Sequence, residues 1–215
     1  MRSSPPTVLD RRKAPRQARS TVTVDAIFEG TIQVLLAVGP ARLTTTRVAQ
    51  RAGVSVGTLY QYFPNKQALL FAVLERHLAM IADSLEAACA DHRGTTVEVM
   101  AEAAVKAYLH AKTKQCEVSR ALYLIAIELD ARGLIEAATR RGEQAIAAML
   151  STAGDGHFPD PYVVAQILLA AVYGTVRAFY ERDLPPAIGG EVEGQLTIMC
   201  RSYLAAASRA DRRAA

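Results

Sequence analysis

The stretch Leu43–Lys66, LTTTRVAQRAGVSVGTLYQYFPNK, constrains this chain more than any other. Thr44, Thr45 and Thr46 open it, and threonine hydroxyls accept from the free N–H groups of a helix's first turn. Val48, Ala49 and Ala52 then fall on one helical face, and Gly53 ends the run. Ser55 caps a second run through Leu59 to about Tyr62, and Pro64-Asn65 breaks the chain again. Two helices this short join tightly only through a residue that tolerates φ > 0, which Gly53 does without a Cβ penalty. Ala49 is small where two helices must approach, and Val54 and Leu59 are apolar residues that would lock the pair onto a preceding helix. The spacing predicts a helix-turn-helix over about 43–62.

The preceding helix is written just upstream. Val24, Ile27, Phe28, Thr31, Ile32, Leu35 and Leu36 recur at three- and four-residue steps, and Gly39-Pro40 stops them. A long helix follows Asn65, with Leu70, Leu74, His77, Ile81, Leu85 and Ala88 as its stripe. Further helices are expected at about 95–114, 117–130, 132–151, 160–182 and 189–208. Their breaks are Gly94, a point near 130–132, Gly154-Asp155-Gly156, and Leu184-Pro185-Pro186 with Gly189-Gly190. Strand-like alternation between turn residues is absent. Half the residues are apolar, and with no Trp the core must come from Ala, Leu, Val and Ile, of which Ala and Leu favour helix. The expectation is an all-α chain. It has a basic arm over 1–18, a three-helix helix-turn-helix domain over 19–80 and a second helical domain over 81–215.

Charge separates along the same lines. Residues 1–66 hold ten Lys or Arg against three Asp or Glu, while residues 67–215 hold fifteen against eighteen. A basic first third points to a polyanion at that end. The arm, with Arg11, Arg12, Lys13 and Arg16, either touches that polyanion or is simply solvated. Thr45 and Thr46 start the first short helix, where hydroxyls and free N–H groups can hold a phosphate. Val56, Gly57 and Thr58 form the first turn of the second helix after Ser55, and Tyr60, Gln61 and Tyr62 share its outer surface. Gln61 can pair with adenine, and Val56 or the Thr58 methyl can touch a thymine methyl. Lys66 opens the long helix, where its charge favours a phosphate; the two tyrosines and this lysine can equally be edge-of-core and solvated side chains.

From Arg19 to Leu78 the chain closely resembles the TetR family of one-component regulators. The likeness includes the first-helix pattern ending at Gly39, the TTTRVAQRAGVSVGTLYQYFPNK core and Ala68-Leu69-Leu70. The resemblance implies that Thr45 and Thr46 contact the DNA backbone, that Val56, Gly57, Thr58 and Gln61 face the groove, and that Tyr60, Tyr62 and Lys66 form a phosphate clamp. It implies a regulator, by family habit a repressor, released from double-stranded DNA by a small-molecule effector held in the second domain.

One helix-turn-helix makes too few contacts for a rare genomic site, whereas a twofold pair reads a palindrome. A homodimer through about 160–182 and 189–208 is therefore expected. The first segment carries Val163, Val164, Ile167, Leu168, Ala171, Val172 and Phe179, with small Gly174 and Ala178. The second carries Val192, Leu196, Met199, Tyr203 and Leu204. The family diverges beyond residue 80, so effector contacts do not transfer residue by residue. Polar groups that interrupt apolar faces are the candidates: Tyr108, His110, Tyr123, Glu128, Gln166, Tyr173 and Arg177. Arg177 wants a partner within its apolar helix, either an anionic ligand, Glu128 or Glu181, or solvent.

The four histidines and the scattered Cys89, Cys116 and Cys200 show no metal or disulfide spacing. No metal, cofactor or catalytic set is expected, so an enzyme is disfavoured. The apolar run Tyr162–Val172 is too short for a bilayer and no signal peptide is seen, so a cytoplasmic protein without a membrane is expected. The other reading is a helical protein-interaction adaptor that has lost sequence-specific DNA binding.

Overall fold

The computed structural model describes residues 18–114, 116–181 and 189–210; the expected basic arm lies outside them apart from its last residue, as does the break at 184–186. The described residues are helical throughout, without a strand: α1 Ala18–Arg42, α2 Thr45–Arg51, α3 Val56–Tyr62, α4 Lys66–Asp91, α5 Val97–Thr113, α6 Cys116–Glu128, α7 Arg132–Leu150, α8 Pro161–Glu181 and α9 Gly189–Ala210. They divide into two compact units. The first takes α1 to α3, α4 as far as His77, and Cys116–Arg132; the second takes the rest.

In the first unit, α1 buries Val24, Ile27, Phe28, Thr31, Val34 and Leu35 along one side. Thr31 is fully buried, and its hydroxyl donates to the Ile27 carbonyl at 2.7 Å. Gly39 leaves the helix at φ 74° and ψ 169°, so Pro40–Arg42 form a separate last turn. Chain order alone places α6 with 81–215, but its packing groups it with the first unit. It lies against α1, and its Ser119 hydroxyl meets His77 Nε2 of α4 at 3.1 Å. Its outer side leaves Leu124 and Ile127 exposed. α6 ends in a Schellman motif, with Ala131 N–H on the Ala126 carbonyl at 3.0 Å and Asp130 N–H on that of Ile127 at 3.4 Å. Asp130 occupies the left-handed position at φ 46°, which explains a break that no glycine marks.

In the second unit, α5 packs chiefly on α9, and α8 also meets α9. Met100, Ala101, Ala165, Ile146, Met149, Cys200 and Leu204 are among its fully buried residues. The loop between α7 and α8 ties down the start of α5. Asp155 Oδ1 accepts from Val97 N–H at 2.7 Å, and Gly154 N–H donates to the Thr95 carbonyl at 2.9 Å. A Cβ on Gly156 would stand 2.7 Å from Val97 Cγ2, so this loop position requires glycine. On α7, Arg141 reaches Asp83 at 2.6 Å and both Glu86 oxygens at 2.8 and 2.6 Å, fastening α7 to α4. These carboxylates hold the guanidinium charged well above its ordinary range.

Two helices are long and apolar enough to span a membrane by length and composition, Ser20–Arg42 and Pro161–Phe179. This revises the expectation that the run in α8 is too short, because the apolar helix extends beyond Val172 on the same face. The first forms the core of its unit, while only 22% of the second's window is buried.

Candidate nucleic-acid interface and candidate effector cavity

The geometry of α2 and α3 follows from a buried base and a tight corner. Leu43, Val48, Ala49, Leu59 and Phe63 are all at most 1% exposed and meet α1 from below. The Phe63 ring packs on Phe28, centroids 5.7 Å apart, and the Arg76 guanidinium lies 5.2 Å above the Phe28 ring while pairing with Asp25. The corner is a second Schellman motif: Val54 N–H bonds the Ala49 carbonyl at 3.0 Å and Gly53 N–H that of Gln50 at 3.3 Å, with Gly53 at φ 67°. The closest helix approach is not at Ala49, as the sequence suggested, but at Gly30 of α1. A Cβ there would lie 3.0 Å from the Ala52 nitrogen and 3.1 Å from its Cβ.

The N-cap of α2 is Thr44, whose hydroxyl accepts from Arg47 N–H at 3.3 Å. Thr45 is therefore already helical, and its hydroxyl meets the Tyr60 hydroxyl at 3.1 Å, while Thr46 is exposed. Ser55 caps α3, accepting from Thr58 N–H at 2.9 Å and lying 2.8 Å from the Thr58 hydroxyl. Val56, Gly57, Tyr60 and Gln61 are exposed on α3 and Thr58 is partly so. Tyr62 differs from the expected outward position. It is half-buried, with its hydroxyl 3.2 Å from Ser20 Oγ on α1. Lys66 is also half-buried, and its ammonium donates to the Pro40 carbonyl at 2.7 Å. An ammonium has three donors, so two stay available.

Sequence reading passed over the exposed Arg47. Its guanidinium reaches the Arg42 carbonyl at 3.0 Å, placing two exposed cations at the corner between α1 and α2. Its signal was position, on the outer face of α2 opposite Val48.

In the second unit, one cavity of about 40 Å³ is walled by four helices. α4 gives Leu78, Ile81, Ala82 and Leu85; α7 gives Ile135, Ala138, Thr139 and Gly142. α5 contributes Tyr108 and Lys112, and α8 contributes Leu169 and Tyr173. Each set repeats at three- and four-residue steps, the mark of one helix face. Of the polar candidates, Tyr108 and Tyr173 reach this cavity. Tyr123 lies on α6 in the first unit, while His110, Glu128, Gln166 and Arg177 are exposed. Gln166 and Arg177 share the outer side of α8 with exposed Val163 and Ile167. Lys112 was missed, although it stands one turn from Tyr108 on the same face. Burial pulls its amine down to about 8.

Comparison with known proteins agrees with this architecture. The family model for bacterial regulatory proteins of the tetR family matches residues 27–73, and the tetracyclin repressor-like C-terminal domain matches residues 96–204, half the chain. The chain therefore belongs to the TetR family of DNA-binding transcriptional regulators. The nucleoid occlusion factor SlmA of Haemophilus ducreyi is 36% identical over 63 residues, 29% of this chain and 31% of its own. The HTH-type transcriptional repressor DrrR1 of Streptomyces coeruleorubidus is 35% identical over 65 residues, 30% of this chain and 24% of its own. The chain thus spans less than a third of the length of these curated relatives. A TetR-family regulator of Mesorhizobium loti superposes with a TM-score of 0.75 at 17% identity, over 88% of this chain and 98% of the other. SmeT, the repressor of the Stenotrophomonas maltophilia multidrug efflux pump SmeDEF, gives 0.60 at 22% identity over 86% and 91%. At such identities the likeness is one of fold.

Proposed function

We propose that the protein is a cytoplasmic repressor. As a homodimer it binds a palindromic operator through residues 19–80, and a small molecule held in the domain over 81–215 releases it. The observation that carries this reading is the exposure of Val56, Gly57, Tyr60 and Gln61 on a helix whose opposite side, Leu59 and the following Phe63, is fully buried. A rigid base with an exposed polar ridge suits insertion into the major groove, with Gln61 able to pair with adenine and Val56 or Thr58 with a thymine methyl. Thr45, Thr46, Ser55, Tyr60, Tyr62 and Lys66 would hold phosphates beside it, joined by Arg47. The repressors DrrR1 and SmeT among the relatives support the direction of control.

The homodimer would form through α8 and α9. Val163 and Ile167 on α8, and Ile198 and Met199 on α9, are 39–57% exposed, more apolar surface than a lone chain keeps in water. The effector would occupy the cavity between α4, α5, α7 and α8. Because α4 supplies residues to both units, filling its cavity side would shift the helix and change the spacing of the two recognition helices. Half-sites lie about 34–36 Å apart, so small errors cost affinity. The coupling is reciprocal and typically about 1–3 kcal/mol.

Selection of bound duplexes from a random library by the purified protein, at near-physiological salt, tests the reading. One enriched palindrome with half-sites about a helical turn apart is expected. A folded dimer that enriches nothing would return the chain to the adaptor reading.

A further inference from the structure

The four-helix cavity carries one cation in a wall that is otherwise aliphatic, hydroxyl-bearing or glycine. Resting on the reading of this cavity as the effector site, we propose that the effector is a small organic anion with a short aliphatic body, its acid group paired with the Lys112 ammonium. The wall from α4 is wholly aliphatic, and none of the twelve lining residues carries a carboxylate. Taking an ammonium out of water is costly, and the cost appears as the lowered pKa of Lys112, about 8, for which burial is the cause.

At neutral pH the amine is still mostly charged. An acid group that reaches it supplies a charge-assisted hydrogen bond in a wall of low polarity, where such bonds are strongest. Tyr108, one turn before Lys112, and Tyr173 across from α8 bring phenolic hydroxyls that can donate to the same acid group. A cationic ligand would meet like charge, and a neutral one would forgo the ion pair. The cavity's volume of about 40 Å³ has room for roughly three waters, which calls for a short body. Leu85 and Leu169 set its floor: a Cβ on Gly142 would lie 3.0 and 3.1 Å from their methyls. These flexible ends are the parts that can yield to a ligand.

Calorimetry and thermal melting of the full chain without DNA, at pH 7 with hexanoate, 1-hexanol and hexylamine, test the proposal. Hexanoate is expected to bind and raise the melting temperature, with the other two at least about tenfold weaker. Lys112→Met and Lys112→Gln remove a desolvated charge, so both should melt no lower than the parent. Both should lose about tenfold or more in hexanoate affinity while binding hexanol no worse. Absent hexanoate binding, hexylamine binding as tightly, or unchanged hexanoate affinity in both variants overturns the anion site. Release from the selected operator is measured separately. Hexanoate that binds through Lys112 yet leaves DNA bound would refute the release mechanism and leave the anion site standing. A neutral compound that releases DNA, where hexanoate does not bind, would do the reverse.

Discussion

Gly30 and Asp130 each hold a position that chemistry makes awkward for most residues, and they predict opposite outcomes. Gly30 sits in α1, where glycine normally costs about 1 kcal/mol against alanine. Its missing Cβ leaves room for the backbone of Ala52 at the end of α2. Gly30→Val should therefore destabilise the chain by about 1–3 kcal/mol through overpacking, read as a lower urea midpoint. It should also weaken operator binding, because α2 is displaced. Asp130 is the reverse case, a side chain at φ 46° where glycine is the natural occupant. Asp130→Gly should raise stability by about 0.5–1 kcal/mol, with DNA binding unchanged.

At the scale of elements, α2 and α3 divide the work between position and readout. Arg47→Ala removes an exposed cation from α2 without touching the ridge of α3. The slope of log affinity against log salt should fall by about 0.9 for each phosphate that is no longer neutralised, with the same palindrome still selected. Gln61→Ala should instead cost about 1–3 kcal/mol per half-site and relax preference at one base position, leaving the salt slope alone.

The helix starts and stops of this region were legible because local chemistry marks them: threonine and serine caps, Gly53, Pro64-Asn65. What stayed hidden was tertiary. Phe63 reads as a loop residue after the second helix, yet it is fully buried under Phe28. Gly30 looks like a weak spot in a helix until Ala52 is set beside it. α6 follows α5 in the chain, and only packing shows that it belongs with α1. Gln166 and Arg177 interrupt an apolar helix in the same way as Tyr173 does. Periodicity cannot tell which side of α8 meets a cavity and which remains open.

For the whole molecule, the open sides of α8 and α9 and the buried ionisable groups make two further predictions. Ile167→Glu puts a charge on a half-exposed position, so the monomer should stay folded while the dimer separates. Light scattering should show the halved mass, and operator affinity should collapse with it.

The pH dependence follows from three groups. The Lys112 amine gives up its proton near 8 in the folded chain but only near 10.5 when unfolded. Over that interval the unfolded state holds more protons, and stability rises with pH. Cys89 and Cys200 do the opposite. Their buried thiols are raised from 9.0 to about 12 and about 11, so above pH 9 the unfolded state loses protons that the folded state keeps, and stability falls. Urea midpoints should climb from pH 7.5 to about 9 and then decline. In Lys112→Met the climb should vanish and the decline remain.

The burial of those same two thiols also makes the protein easy to observe. Cys116, at the start of α6, is the one cysteine of the three with appreciable exposure, and the chain has no tryptophan. A maleimide dye should therefore attach at a single site in the native protein without removal of any cysteine. A tryptophan introduced elsewhere would be the only one in its emission band. Together they form a donor–acceptor pair whose distance can be followed, molecule by molecule, as operator and effector compete.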